Sequence, residues 1–186
     1  MSQKLDLSPS NSFVIAIIAS LLMTVLGGAV AMWYLGVFSQ VEVKRDISEP
    51  YRIAYILNTG PRDTIYKTLE KVAGHLRQAG IEPESPCILL LDGSSVHESE
   101  RRSKVGYLIS ADTYLPPALE SETLPEREVL IATFRGGAMI GSYRGYQAMG
   151  EWAGKHGYTL SLPAFEIYHP DGTMEYQLGV SGASER

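Results

Sequence analysis

The sequence predicts an α+β protein: a single N-terminal transmembrane helix followed by one domain of two strand-helix-strand-strand repeats with pseudo-twofold symmetry. Three observations predict this. Residues 13–38 carry no charge, each half of the remaining chain contains short apolar runs around one helical pattern, and the halves share identities at one offset. The expected organisation is a polar tail (1–12), the span (13–38), the domain (41–180) and a C-terminal tail (181–186).

The predicted span runs from Phe13 to Phe38, twenty-six residues without a charged side chain. A bilayer core of about 30 Å needs roughly 20 apolar residues as helix, so the segment can cross it with some tilt. Trp33 and Tyr34 lie near its end, where amphipathic rings favour the headgroup region. A cleaved signal peptide is the alternative, since Ala29-Val30-Ala31 offers a cleavage site. The single preceding lysine and the length of the run favour an uncleaved anchor.

Two further features concern the span and its surroundings. Small residues recur every fourth position and could support self-association through close helix contact, although small residues are common in spanning helices: Ala16, Ser20, Thr24 and Gly28. The positive-inside bias favours a cytoplasmic C-terminal domain, because three basic residues follow the span: Lys44, Arg45 and Arg52. The single cysteine, Cys87, excludes an internal disulfide and fits a reducing compartment.

Composition restricts the function classes. The first forty residues hold one lysine and one aspartate, which leaves 15 basic and 20 acidic side chains on the rest. This acidic balance argues against nucleic acid as a partner, since binding phosphates needs clustered Lys and Arg. Eleven tyrosines against four phenylalanines favour an aromatic cavity with hydrogen-bonding capacity. No histidine pair has metal-ligand spacing, so we expect neither metal nor cofactor.

The sequence pattern of the first half of the domain predicts four strands and one helix. Alternation or short apolar runs place the strands at 41–46, 52–57, 87–91 and 104–109. Between the second and third, apolar residues at helical spacing predict a helix with Asp63 as N-cap and Gly80 as stop: Ile65, Leu69, Val72, Ala73 and Leu76. A polar link, residues 110–128, follows.

The second half predicts strands at 130–134, 165–168 and 174–180. Ser142 is the expected cap of a helix ending near Gly157, with an apolar face of Tyr146, Met149, Trp152 and Ala153. Three glycines inside this helix each cost about 1 kcal/mol relative to alanine: Gly145, Gly150 and Gly154. Tertiary packing must therefore hold the helix, and either a ligand or the sheet comes close to its backbone.

The two halves align at an offset of 77 residues. Four identities fall beside equivalent predicted elements: Gly60 with Gly137, Tyr66 with Tyr143, Gly80 with Gly157, and Pro86 with Pro163. We therefore predict two repeats, at about 41–109 and 129–180. Each unit alone is too small to enclose a core, so the two would pair and form a shared concave surface at their seam.

The order and spacing of several motifs resemble the GyrI-like small-molecule-binding domain, the effector module of many multidrug-responsive regulators and a relative of the SOUL haem-binding group. The second half carries the resemblance: ATFRGG, Tyr143, EWAGKHGY and PAFEIYH, with Pro163, Glu166 and Tyr168 meeting the family's pattern. One span followed by such a domain looks like the membrane-anchored branch typified by an animal ER-phagy receptor. Two positions depart from the pattern of that family: Arg62 stands where the family often has an aromatic residue, and Gly179 stands where proline is common in it. The chain shows no DNA-binding module, which argues against a transcription regulator.

Glu166 is the leading candidate site residue. It aligns with Leu89 of an apolar strand in the first repeat, and a buried carboxylate is costly unless paired, so a cationic ligand could supply the pairing. The resemblance implies the same, since the family's glutamate lies in the ligand cavity. The alternative is a strand-edge glutamate facing water. Tyr168 would lie on the same strand face. Four further aromatics are candidate cavity walls, with ordinary core packing as the alternative for each: Tyr66, Tyr107, Tyr143 and Trp152.

The leading functional hypothesis is a single-pass membrane protein that binds an amphipathic or cationic small molecule, with Glu166 as polar anchor. A membrane-tethered adaptor for a protein partner is the second hypothesis, and an exposed apolar patch without a cavity would favour it. A hydrolase of electrophilic small molecules is the third. In that case alone Glu166 would be catalytic, as general base, with Tyr168 orienting water or substrate.

Overall fold

The computed structural model describes residues 9–34 and 39–182. Helix α1 (Pro9–Tyr34) begins the described chain. Its stretch Phe13–Trp33 is, among the described residues, the one segment long and apolar enough to cross a membrane, and none of it is buried by the domain. A signal sequence near an N-terminus has the same length and composition. Residues 35–38 of the predicted span lie outside the described part of the chain.

The domain is one antiparallel sheet with two long helices. The strands lie in the order β1-β6-β8-β7-β3-β4-β2-β5. Their bounds are β1 (Glu42–Ile47), β2 (Tyr51–Thr59), β3 (Pro86–Leu90), β4 (Arg102–Leu108), β5 (Glu120–Leu124), β6 (Glu128–Arg135), β7 (Thr159–Tyr168) and β8 (Thr173–Ser181). The helices are α2 (Thr64–Gln78) and α3 (Ala138–His156), and a short 3-10 helix covers Glu98–Glu100. This confirms the predicted α+β class.

The element order β2-α2-β3-β4 is the same as β6-α3-β7-β8. Strands β3 and β7 pair antiparallel at the middle of the sheet and so join these two units. Helix α2 packs on β2 and β4, whereas α3 packs mainly on β6, β7 and β8. The internal sequence repeat itself stays a prediction.

Helix α2 buries the apolar face that its spacing predicts, including Ile65, Val72 and Leu76. Asp63 occupies the predicted N-cap position, but its side chain makes no capping hydrogen bond. Gly80 has φ +74, a left-handed conformation that glycine adopts without a Cβ clash, and this agrees with its predicted place after the helix.

Helix α3 begins earlier than expected. Gly137 occupies the N-cap position and the helix starts at Ala138, so Ser142 is not a cap. Ser142 lies one turn inside, where its hydroxyl donates a 3.0 Å hydrogen bond to the Ala138 carbonyl. The prediction is wrong here because serine is typical of helix starts, although its hydroxyl can equally bond a carbonyl one turn earlier.

The polar link predicted at 110–128 contains a strand. Strand β5 pairs with β2 at the edge of the sheet, with Leu124 opposite Tyr51 and Glu120 opposite Tyr55. Its sequence, ESETL, is mostly exposed and polar. An edge strand with no buried face has no apolar alternation, so the pattern that reveals the other strands is absent here.

The sheet, rather than a ligand, lies against Gly145 of α3. A Cβ at this position would stand 2.8 Å from Cδ2 of Tyr176 on β8. A Cβ at Gly141, one turn earlier, would stand 2.6 Å from the hydroxyl oxygen of Tyr176 and 2.7 Å from Cδ1 of Phe134. At Gly150 and Gly154, by contrast, an added Cβ would have nothing within 4 Å. Glycine at 141 and 145 therefore lets the α3 backbone lie directly on the β8 tyrosine.

Candidate functional site

A groove of about 940 Å³ lies between the two helices of the domain. Its walls come from the start of α2 and the start of α3, and strands β3 and β7 contribute to its floor. The lining residues are Arg62, Asp63, Ile65, Tyr66, Leu69, Pro86, Ile88, Ala138, Ser142, Tyr143, Tyr146, Gln147 and Tyr168. The groove thus opens above the β3–β7 pair at the centre of the sheet.

Glu166 lies beneath this groove on β7, opposite Ile88 of β3. Its side chain is fully buried. The hydroxyl of Tyr146 donates to Oε1 at 2.9 Å, and that of Tyr168 donates to Oε2 at 2.6 Å. Glu166 is not among the lining residues, but its hydrogen-bond partners are. The carboxylate is therefore shielded from the groove by the groups that bond it.

Arg62 completes the surroundings of the carboxylate. Its Nη2 lies 2.7 Å from Oε2 and 3.0 Å from Oε1 of Glu166, and 2.8 Å from Oγ of Ser142. Arg62 precedes α2, so the short turn into that helix brings the guanidinium over β7. A buried negative charge is costly unless paired, and this ion pair supplies the pairing within the chain.

The electrostatics of the cluster keep both tyrosines protonated. Burial, reinforced by the negative charge of Glu166, raises the pKa of Tyr146 and of Tyr168. Burial by itself would lower the pKa of Arg62, but the adjacent Glu166 outweighs this and the pKa is raised overall. The two phenols and the guanidinium therefore remain hydrogen-bond donors to the carboxylate over the physiological pH range.

The structure places the predicted site residues in two groups. Tyr168 lies in the groove, and the exposed rings of Tyr66 on α2 and Tyr143 on α3 form part of its rim. Trp152 and Tyr107 do not line it. Trp152 stacks on His156, with ring centroids 3.9 Å apart, and Tyr107 packs against the apolar cluster under α2. The expectation that these two form cavity walls is therefore not met.

Three groups at the site are not among the predicted site residues: Arg62, Ser142 and Tyr146. Arg62 stands where an aromatic is frequent in the family that the sequence resembles. Tyr146 lies on the apolar face of α3, as its spacing predicts, but its hydroxyl reaches Glu166. A charged residue at a position where the family often has an aromatic one is the sequence signal that points to Arg62 as a site residue.

The model of the GyrI-like small molecule binding domain matches residues 46–178. The chain belongs to this family. A comparison with curated proteins gave no match. The fold is similar to that of the EcmrR C-terminal domain, at 14% identity and a TM-score of 0.59, with 76% of this chain and 97% of that chain covered.

Two other solved structures share the GyrI-like fold. SAV2435 bound to tetraphenylphosphonium has a TM-score of 0.51 at 12% identity, covering 76% of this chain and 94% of that one. A structure described as a hydrolase from Listeria innocua has a TM-score of 0.53 at 10% identity, covering 75% and 92%. At these identities the likeness concerns the fold. Among the described residues, no group of three His, Cys, Asp or Glu side chains is placed to hold a metal ion.

Proposed function

We propose that this chain is a membrane-anchored binding protein whose groove takes an amphipathic small molecule. The observation that carries the proposal is an apolar groove of about 940 Å³ directly above a buried, hydrogen-bonded carboxylate. Ligand sites are typically about 300–1,000 Å³, mostly apolar, and contain few polar groups. Membership of the GyrI-like family supports the same function.

The lining residues divide between the two ends of such a ligand. Ile65, Leu69 and Ile88 would contact its apolar part, and the rim tyrosines would cover it. The polar end would face the Glu166 cluster. In a protein of this fold, SAV2435, the bound molecule is tetraphenylphosphonium, a bulky aromatic cation. A cation in the present groove would reach Glu166 only after displacing Arg62.

Helix α1 would anchor the domain with its C-terminal side in the cytoplasm. The basic residues after the span support this orientation, although two of them are in ion pairs: Lys44 lies 2.7 Å from Asp46, and Arg45 pairs with Glu128. Protease protection of tagged ends in sealed vesicles tests it. We expect a C-terminal tag to be digested from the cytoplasmic side. A smaller mature chain lacking the N-terminal tag would instead identify residues 13–38 as a cleaved signal.

The hydrogen bonds of Glu166 argue against general-base catalysis by this carboxylate. A carboxylate offers about four lone-pair sites, and Tyr146, Tyr168 and two contacts from Arg62 occupy four. Accepting a proton from water would therefore require one of these hydrogen bonds to break. The groove likewise supports a small-molecule ligand over a protein-binding adaptor, which would need an exposed apolar patch instead.

Three probes with one biphenylbutyl tail and different head groups (carboxylate, alcohol and trimethylammonium) test the function. Binding to the full chain in nanodiscs is measured by equilibrium dialysis, with empty nanodiscs subtracted. Leu69→Trp fills the groove and should weaken every probe that binds by at least about tenfold. The matched control, Leu57→Trp, changes a half-exposed leucine of β2 outside the groove. Equal binding by the two variants would refute the groove as the ligand site.

A further inference from the structure

Arg62 makes the carboxylate of Glu166 unavailable to a ligand. Both carboxylate oxygens accept from Nη2 of Arg62, and each also accepts from a tyrosine hydroxyl. The negative charge is neutralised and the acceptor capacity of the group is filled. A cationic head group entering the groove therefore meets a guanidinium of its own sign in place of a free carboxylate.

The same guanidinium has further donors to offer. All its hydrogen bonds to described residues run through Nη2, so Nε and Nη1 have no acceptor in the described part of the chain. The Arg62 side chain is 49% exposed and lines the groove, which makes it accessible to a bound molecule. Nε–H and Nη1–H point to different sides of the guanidinium, so each can donate one charge-assisted hydrogen bond to an anionic oxygen.

We propose that the groove selects amphipaths with an anionic oxygen head group, of the carboxylate class, over cationic ones, and that Arg62 sets this preference. This rests on the proposed small-molecule function and specifies its ligand class. The ligand's apolar tail lies against Ile65 and Leu69, and its head group accepts a hydrogen bond from one of the free N–H donors of Arg62 and is attracted by the guanidinium charge. Asp63 also lines the groove as an exposed carboxylate, but it is present in every variant of Arg62 and Glu166, so it does not alter the comparison between them.

A reversal of preference follows when Arg62 is removed. Without the guanidinium, Glu166 lies beneath the groove as an uncompensated negative charge with free lone pairs. A cation then gains the pairing that Arg62 supplied, whereas an anion is repelled by Glu166 and loses its hydrogen bond from Arg62. Glutamine at position 62 retains hydrogen-bonding capacity without the charge, so Arg62→Gln isolates the charge effect.

The test uses the full chain in nanodiscs with the carboxylate, alcohol and trimethylammonium probes. The natural sequence should bind the carboxylate at least about tenfold more tightly than the trimethylammonium compound, and Arg62→Gln should invert that order. Arg62→Lys keeps the charge and should keep the carboxylate preference. Tighter binding of the cation by the natural sequence, or the same order of affinities in Arg62→Gln, overturns the proposal.

A second variant serves if Arg62→Gln does not fold. Glu166→Gln removes the inner negative charge and leaves Arg62 without its ion pair, so the carboxylate probe should bind at least as tightly as before. Weaker carboxylate binding in that variant counts against Arg62 as the anion contact. Failure of the proposed function gives a different result: no probe binds any variant, or Leu69→Trp leaves binding unchanged.

Discussion

Nη2 of Arg62 lies 2.7 Å from Oε2 of Glu166, so a half-exposed cation compensates a fully buried carboxylate. The two residues are 104 positions apart in the chain. The pair joins the turn before α2 to the strand under α3, and it therefore connects the two halves of the domain through a charge contact.

Removing Arg62 should destabilise the fold. Breaking one side of a buried ion pair costs about 3–5 kcal/mol, and exposure of the arginine reduces this, so we expect about 1–3 kcal/mol for Arg62→Gln. Thermal unfolding of the full chain in micelles, followed by circular dichroism, measures it. Arg77→Gln is the matched control. Arg77 is exposed, and its ion pair with the exposed Glu82 is long, at 4.0 Å, so little stability should be lost. Equal losses in the two variants would contradict a specific role for the Glu166 pair.

Substitutions of two glycines in α3 should have opposite signs. Gly145→Ala places a methyl group 2.8 Å from the Tyr176 ring, and such overpacking costs about 1–3 kcal/mol. Gly150→Ala meets nothing within 4 Å and should gain up to about 1 kcal/mol of helix propensity. Thermal unfolding of both variants measures the difference. If Gly145→Ala were as stable as Gly150→Ala, the contact between α3 and β8 would be looser than described.

Alkaline pH should destabilise the domain through Tyr176. Burial raises the pKa of the Tyr176 phenol from 10.0 to about 12. Between these two values the phenol ionises in the unfolded chain but stays protonated in the folded chain. Its contribution to the free energy of unfolding is therefore fully present below pH 10 and is lost as pH rises toward 12. The free energy of unfolding of the natural sequence, minus that of Tyr176→Phe, should fall by about 1.4 kcal/mol per pH unit in this window. A difference independent of pH would show that this phenol ionises equally in both states.

Cys87 should be chemically inert in the folded chain. The thiol lies on β3, wholly buried, and burial raises its pKa above the ordinary range, so little thiolate forms at neutral pH. We expect no modification by iodoacetamide under native conditions and full modification after denaturation, as measured by intact mass. Stoichiometric labelling of the native chain would reveal local opening of β3 or β7.

Local pattern determined much of the fold. Seven strands and both domain helices overlap their predicted positions, because alternation and helical spacing are properties of neighbouring residues. The exceptions, β5 and the start of α3, are places where the local signal was polar or ambiguous. Gly145 illustrates the limit of such prediction. The sequence predicted that some group comes close to the backbone of this glycine, but not that the group is Tyr176.

By itself the sequence determined that an uncharged segment precedes the domain, that Glu166 stands in an apolar strand, and that Tyr168 shares its face. Only the tertiary structure decided which groups meet that carboxylate. Arg62 and Tyr146 reach it because α2 and α3 dock on the sheet beside the β3–β7 pair, whereas Trp152 and Tyr107 are carried elsewhere. Residues so distant in sequence meet through helix docking and strand register, which are set by packing across the whole core and leave no local signature.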